Sequence, residues 1–169
     1  MLTITDQDFL RLVDYVQKNF GIDLSKKKQL ITSRLSNSIV TAGFADFSAY
    51  INHIIQTSDK NSIEMMLNKL TTNYTYFLRE ANHFDFLKNT ILPRLIKQKK
   101  NKVLSIWSAG CSSGEEPYTI SMILKDYLGA QAAAWDTRVL ATDISQKVLA
   151  QAQNAIYEAE SLSKIPDRW

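Results

Sequence analysis

The sequence predicts an α/β protein in which an all-α N-terminal domain is followed by the first part of a nucleotide-binding α/β sheet. Apolar residues recur at helical spacing through the N-terminal part, up to Leu70. Between 103 and 129, an apolar run, a turn of small residues and an amphipathic stretch follow one another, which is typical of strand, loop and helix. A second short apolar run, 138–143, ends in an acid.

Four short amphipathic helices are predicted for the N-terminal part. The first is expected over 5–20, Ser25 and Asp46 are expected to cap the second and third, and Ser62 to begin the fourth. Short helices with short connections form small helical domains. The apolar faces, most simply interpreted as core, carry Phe9, Val13, Val16 and Phe20, then Leu30, Ile31, Leu35 and Ile39, then Phe47, Tyr50, Ile51, Ile54 and Ile55, then Ile63, Met66, Leu67 and Leu70.

The second predicted helix also carries a basic cluster, formed by Lys26, Lys27, Lys28 and Arg34. Such a cluster is usually a solvated helix face. Alternatively, it forms a docking surface for an acidic partner. The sequence leaves both interpretations open.

Segment 71–80 mixes polar and aromatic side chains. Its Thr-Thr-Asn start predicts a break in the helix. Asn73, Thr75 and Arg79 then stand among aromatic residues, a combination that suits a segment lining a ligand. The alternative is an ordinary linker whose aromatic residues fill the core. A further helix is expected after it, with Pro93 as a bend.

The central motif is a predicted strand, 103–107, followed by small residues and a helix. Ser113 and Glu116 have the spacing of a capping box, and Pro117 suits the first helical turn. Glycines in such a loop allow a ligand to approach the backbone closely. Glu115 and Glu116 disfavour a phosphate but suit a ligand with hydroxyls or a positive charge, such as S-adenosylmethionine. Glu116 is therefore either a ligand contact or only a cap.

The second predicted strand, 138–143, ends at Asp143, and Ser145 can cap the helix that follows. In dinucleotide-binding sheets an acid at the tip of the second strand binds ribose hydroxyls. A helix cap is an equally good interpretation of Asp143 from this pattern alone.

The composition limits the class of protein. The 169 residues are 45% hydrophobic and 22% charged, as in ordinary globular proteins, and the net charge of +3 does not indicate nucleic-acid binding. The single cysteine, Cys111, excludes an internal disulfide framework and fits a reducing compartment. Without a membrane-length apolar run or a signal-peptide pattern, a cytoplasmic location is predicted. His53 and His83 are isolated, so no metal site is predicted.

Three motifs resemble those of the chemotaxis receptor methyltransferases, the CheR family. Thr71–Glu80 resembles the family's T-T-N-x-T-x-F-F-R-E, and Trp107–Tyr118 is similar to its W-S-A/C-x-x-S-x-G-E-E-P-Y. Ala141–Ile144, followed by Ala155–Tyr157, resembles its A-S/T-D-I and G-x-Y. The motifs occur in the family's order across nearly the whole chain.

The resemblance implies an all-α domain followed by a Rossmann-like S-adenosylmethionine-dependent methyltransferase domain that methylates glutamate side chains on cytoplasmic helices of methyl-accepting chemotaxis receptors, releasing S-adenosylhomocysteine. It also implies site residues. Asn73, Thr75 and Arg79 would border the methionine end of the cofactor, with Arg79 the catalytic candidate because it could also hold the substrate carboxylate. Glu116 would meet the ammonium or sugar side, and Asp143 the ribose. Lys27, Lys28 and Arg34 would face the acidic receptor helix.

Family members run on well past the position that matches Trp169, so a truncated form is expected. The expected domains are 1–70, helical; 71–100, a linker and a helix bordering the cofactor; and 101–169, a partial Rossmann-like domain. Two strands cannot protect their own edges, which predicts a homodimer formed through the first strand. The alternative to an enzyme is a non-catalytic module that binds the cofactor or the receptor.

Overall fold

The computed structural model describes residues 2–169, and it divides into two compact units. One unit ends at Thr72, and the other runs from Asn73 to Trp169. None of the helices in the described part of the chain is long and apolar enough to cross a membrane.

From residue 2 onward, the N-terminal unit consists of four α-helices, as predicted. They are α1 (Asp6–Phe20), α2 (Lys28–Thr41), α3 (Phe47–Thr57) and α4 (Lys60–Leu70). Their apolar faces meet in one core, whose fully enclosed side chains include Leu12, Ile31, Leu35, Ile39, Phe47, Tyr50, Ile51, Ile54 and Met66. Burial of this core, rather than intrinsic helix propensity, stabilises helices of this length.

Two predicted helix starts are wrong, and in both a nearby aspartate provides the reason. The backbone N–H of Ser25 donates to Asp23, so Ser25 lies in a turn before α2, which begins at Lys28 without a side-chain cap. The fourth helix begins at Lys60, because the Asp59 carboxylate caps it by accepting the Ser62 N–H at 2.8 Å.

The third helix confirms its predicted cap but not its whole predicted face. Asp46 accepts the backbone N–H of Ala49 at 2.8 Å, as an N-cap should. Ile55, however, is exposed. It follows the fully buried Ile54 by one residue, a rotation of about 100° that moves it off the buried stripe.

The C-terminal unit combines helices with a small parallel sheet. Its elements are α5 (Ala81–Phe86), a π-helical turn (Leu87–Ile91), α6 (Leu92–Gln98), β1 (Ile106–Ala109), α7 (Glu115–Leu128), a 3₁₀ segment (Gly129–Ala134), β2 (Val139–Thr142), α8 (Gln146–Asn154) and a second 3₁₀ segment (Ala159–Leu162). The π-helical turn lies just before Pro93, where the sequence predicts a bend and where the missing N–H of proline interrupts the hydrogen-bond ladder.

The bounds of both strands differ from the predicted ones: β1 starts and ends later than predicted, and β2 is shorter by one residue at each end. Strand β1 starts three residues after the predicted Val103, which forms only an isolated bridge with Asp136. It extends through small residues to Ala109, because pairing depends on the backbone and not on an apolar side chain. Strand β2 ends at Thr142, so Asp143 is the first residue after the strand.

Strands β1 and β2 pair with each other in parallel, and α7 lies in the connection between them. Ile106 is opposite Val139, and Ala109 is opposite Thr142. On one face of the sheet, Ile106 and Val139 pack against a core formed by Leu92, Leu104, Ile120, Ile123 and Leu124. On the other face, Trp107 and its register partner Leu140 are 65% and 62% exposed.

Candidate functional site

The loop between β1 and α7 lies at the carboxyl ends of both strands. The backbone N–H groups of Gly110 and Cys111 both donate to the Thr142 carbonyl, at 2.8 and 2.9 Å, which attaches the start of the loop to the end of β2. In open α/β sheets, this end of the strands is where ligands bind.

Asp143 holds the loop from the end of β2. Its Oδ2 accepts the Ser112 N–H at 2.8 Å, and its Oδ1 accepts the Ser145 N–H at 2.9 Å. The cap of α8 is Ser145, which accepts the Val148 N–H, so the interpretation of Asp143 as the cap is wrong. Each carboxylate oxygen has two lone pairs, so Asp143 keeps acceptor capacity for a ligand hydroxyl.

Glu116 is exposed on the first turn of α7 and accepts the hydroxyl of Ser108 at 2.6 Å. The predicted capping box is wrong, because Gly114 is the N-cap and Ser113 donates instead to the Glu115 carboxylate, at 2.7 Å. Glu116 is therefore not engaged in capping, and its charge lies beside the end of β1.

The two loop glycines have different surroundings. Gly110 has φ +82°, and a Cβ placed on it would meet nothing within 4 Å. Gly114 has φ +101°, and a Cβ there would lie 2.7 Å from the Tyr157 hydroxyl and 3.0 Å from the Ala152 Cβ. Gly110 thus leaves open space where a ligand can approach the backbone, whereas Gly114 makes room for the protein's own side chains.

Segment 71–80 is attached to this loop at its start. The Asn73 carbonyl accepts a hydrogen bond from the Ser112 hydroxyl at 3.1 Å. Thr75, two residues after Asn73, is half-buried. Phe77 is buried, as the linker interpretation predicts for aromatic residues, but Tyr74 is 67% exposed. The segment therefore combines one core anchor with exposed groups.

Arg79 is exposed and folds back on its own segment. Its guanidinium donates to the Tyr74 carbonyl at 2.6 Å and lies 5.7 Å from the centre of the Tyr74 ring. Within residues 2–169 it forms no ion pair with Glu116 or Asp143. One hydrogen bond uses one of five donors, so the guanidinium keeps capacity for a carboxylate.

Comparison with known protein families decides the identity. The model of the CheR methyltransferase all-alpha domain matches residues 7–71, and that of the CheR methyltransferase SAM-binding domain matches residues 73–169. The chain belongs to the CheR methyltransferase family. The predicted order, an all-α domain before a methyltransferase domain, is confirmed, and S-adenosylmethionine is the cofactor for which the CheR domain is named.

Curated CheR relatives align along nearly the whole chain. The chemotaxis protein methyltransferase of Borreliella burgdorferi is 46% identical over 98% of this chain, and the alignment covers 60% of that relative. The Escherichia coli protein of the same name is 33% identical over 97% of this chain and 55% of its own length. Chemotaxis protein methyltransferase 2 of Vibrio cholerae is 30% identical, over 98% and 58%. The chain thus spans about 60% or less of the length of these relatives.

The chemistry of the CheR loop fits S-adenosylmethionine. Two carboxylates, Glu116 and Asp143, can accept from hydroxyls or attract a positive charge, and the open side of Gly110 allows close backbone approach. Burial, together with the Asp143 carboxylate, raises the pKa of the Cys111 thiol. The thiol therefore remains protonated and is not a competing nucleophile.

The predicted basic surface of the CheR all-alpha domain is only partly free. Lys28 pairs with the exposed Asp6, while Lys27 is exposed before α2. The guanidinium of Arg34 donates to the carbonyls of Lys69 and Thr71, both at 3.3 Å. These carbonyls end α4, so Arg34 stabilises a helix C-terminus, a role that the sequence pattern did not reveal.

Several residues that shape the CheR site were not predicted. Ser108 and Ser112 counted only as small turn residues, yet Ser108 donates to Glu116 and Ser112 joins the loop to Asn73 and Asp143. Tyr157 lay in a recognised motif without an assigned role. The contacts of Ser112 and Tyr157 span 31, 39 and 44 residues of sequence, so spacing gave no signal for them.

Proposed function

We propose that this chain binds S-adenosylmethionine at the β1–α7 loop and forms the cofactor-binding part of an enzyme that methylates glutamate side chains of chemotaxis receptors. One observation carries the proposal: in a chain matched by a SAM-binding methyltransferase domain, Glu116 and Asp143 adjoin an open glycine backbone at the carboxyl ends of parallel strands. The relatives' own name, chemotaxis protein methyltransferase, supports the substrate class.

The proposed roles follow from the chemistry of each side chain. Asp143 accepts from the ribose hydroxyls, and Glu116 attracts the ammonium or binds the sugar side. Segment 71–100 borders the cofactor, with Asn73, Thr75 and Arg79 at its methionine end. Arg79 also holds the substrate carboxylate, for which a planar guanidinium is well suited.

When bound, S-adenosylmethionine supplies a methyl group on a positively charged sulfur, and its transfer forms a carbon–oxygen bond on the glutamate carboxylate while the sulfur–carbon electron pair stays on sulfur. No proton is transferred, so no strong base is required of the protein. The residues of this chain contribute by orienting the two reactants in line, and orientation alone can supply a large part of catalysis.

Calorimetry of the chain with S-adenosylmethionine and S-adenosylhomocysteine tests the proposal, followed by a labelled-methyl assay with a receptor cytoplasmic fragment. Binding of both ligands with methyl transfer supports the enzyme. Receptor binding without cofactor binding supports the alternative, a non-catalytic module. Absence of both ligand and receptor binding would contradict the proposal.

We also propose that the basic side chains at the start of α2, Lys27 just before the helix and Lys28 in its first turn, dock the receptor helix. Lys27→Glu and Lys28→Glu together are expected to weaken binding of a receptor fragment roughly 3- to 10-fold and to reduce its salt sensitivity, as loss of exposed charge pairs does. Lys18→Glu together with Lys60→Glu, the same total charge change at exposed positions of α1 and α4, is the control. Arg34 is left unchanged because it caps α4. Equal affinities in isothermal titration would identify the cluster as a solvated face.

The receptor helices proposed as substrate are cytoplasmic, and the lone Cys111 fits a reducing compartment, so we place this chain in the cytoplasm.

Self-association is a further part of the proposal. Within the described residues β1 has a strand partner on one edge only, and Trp107 and Leu140 are exposed beside it. Sedimentation at micromolar concentration is expected to show a dimer. A monomer whose 106–109 amides resist hydrogen exchange would rule it out.

A further inference from the structure

Tyr157 lies where three separate segments of the C-terminal unit meet. Its hydroxyl donates to the Ser113 carbonyl at 2.7 Å, across 44 residues of sequence. Its ring packs edge-on against Phe77, with centroids 4.9 Å apart, and against Tyr118 at 6.0 Å. Phe77 belongs to segment 71–80, and Ser113 belongs to the β1–α7 loop, so one side chain connects both to the end of α8.

The loop needs such support, because its backbone is held in an unfavourable conformation. Ser112 has φ +49°, in the left-handed region that non-glycine residues avoid. Strained residues of this kind persist when their surroundings determine them strongly, and they cluster at functional sites. Asp143 anchors the Ser112 N–H, and Tyr157 anchors the carbonyl of the following residue, Ser113.

The approach of Tyr157 also accounts for the glycine at position 114. The space that a side chain at 114 would occupy is filled by the Tyr157 hydroxyl and by Ala152 of α8. Tyr118 adds a second tie, because its hydroxyl donates to the Ala152 carbonyl at 2.9 Å. Gly114 is thus the contact point between the loop and α8.

The Tyr157 hydroxyl is a dependable donor. Burial, and then the nearby Glu115 carboxylate, raise the pKa of Tyr157 well above its ordinary value. The phenol therefore remains protonated throughout the pH range in which enzymes usually work.

We infer that Tyr157 is a positioning residue for cofactor binding: by holding the Ser113 carbonyl, it keeps the open face of Gly110 and the Glu116 carboxylate in the arrangement that receives S-adenosylmethionine. The inference rests on the proposed function for its ligand, but not for its effect on the loop. Tyr157 touches neither reactant in this scheme and acts through the loop.

Tyr157→Phe tests this, because it removes the donor and keeps the ring against Phe77. Hydrogen exchange of amides 112–116 is expected to accelerate about 5-fold, and the dissociation constant of S-adenosylhomocysteine to rise about 5-fold, as expected for loss of one hydrogen bond. Tyr127→Phe is the matched control. Tyr127 lies at the C-terminal end of α7, away from the loop, and its ring packs against the core of the unit. The control is expected to leave both readouts unchanged.

Three outcomes would overturn the inference: unchanged loop exchange, unchanged ligand affinity in a chain that binds the ligand, or loss of the fold in Tyr157→Phe, which would make the tyrosine simply structural. Failure of the proposed function looks different. In that case the unsubstituted chain binds no S-adenosylhomocysteine, while the exchange of amides 112–116 still reports whether Tyr157 holds the loop.

Discussion

Alanine at position 114 is expected to abolish cofactor binding and to lower the free energy of unfolding of the C-terminal unit by roughly 2–4 kcal/mol, the combined cost of backbone strain and overpacking. Gly114 has φ +101°, and the Cβ of an alanine there would lie 2.7 Å from the Tyr157 hydroxyl and 3.1 Å from the Ala152 Cα. The second contact is with helix backbone, which cannot rotate away as the end of a side chain can.

Tryptophan fluorescence during urea unfolding measures this effect in the correct unit. All three tryptophans, Trp107, Trp135 and Trp169, lie after Thr72 and therefore report the C-terminal unit alone. Gly110→Ala is the matched control, because Gly110 also has a positive φ but would have no overlap. It is expected to cost only about 1–2 kcal/mol, from backbone conformation. Equal losses in the two variants would show that contact with Tyr157 and α8 is not what requires Gly114.

The parts of the fold that the sequence predicts well are those determined locally. Asp46 caps α3 because its carboxylate needs only the N–H three residues ahead, and the apolar stripe of α3 is a property of one helix. The parallel sheet is predicted because a strand, a crossover helix and a second strand occur in sequence order. Asp143 at the tip of β2 follows from the same order.

The parts that the sequence does not predict depend on distant partners or on backbone conformation. Arg34 was assigned to a docking surface, yet its guanidinium reaches carbonyls 35 and 37 residues away. The spacing of Ser113 and Glu116 matches a capping box, but the left-handed conformation of Gly114 makes that glycine the helix cap. Local spacing predicts neither the distant carbonyls that Arg34 reaches nor the backbone conformation of Gly114, because the same spacing occurs in sequences that have neither feature.

Removing the carboxylate of Asp143 is expected to have the largest effect on cofactor affinity that does not involve a steric clash. Asp143→Ala deletes the acceptor proposed for the ribose hydroxyls and also releases the N–H groups of Ser112 and Ser145. Unpaired polar groups of this kind cost roughly 1–3 kcal/mol, so the dissociation constant of S-adenosylmethionine should rise about 5- to 150-fold. Isothermal titration of the chain measures it.

Two further variants separate the roles of Asp143. Asp143→Asn keeps one carbonyl oxygen but no charge, and it is expected to retain part of the affinity because that oxygen can still accept one N–H. Asp136→Asn removes a carboxylate from the opposite end of β2, where Asp136 pairs with Arg138, and is expected to leave affinity unchanged. If Asp143→Ala bound S-adenosylmethionine as tightly as the unsubstituted chain, Asp143 would be a loop anchor alone and the proposed ribose contact would be wrong. If Asp136→Asn weakened binding equally, the loss would reflect the net charge of the unit rather than a contact at the end of β2.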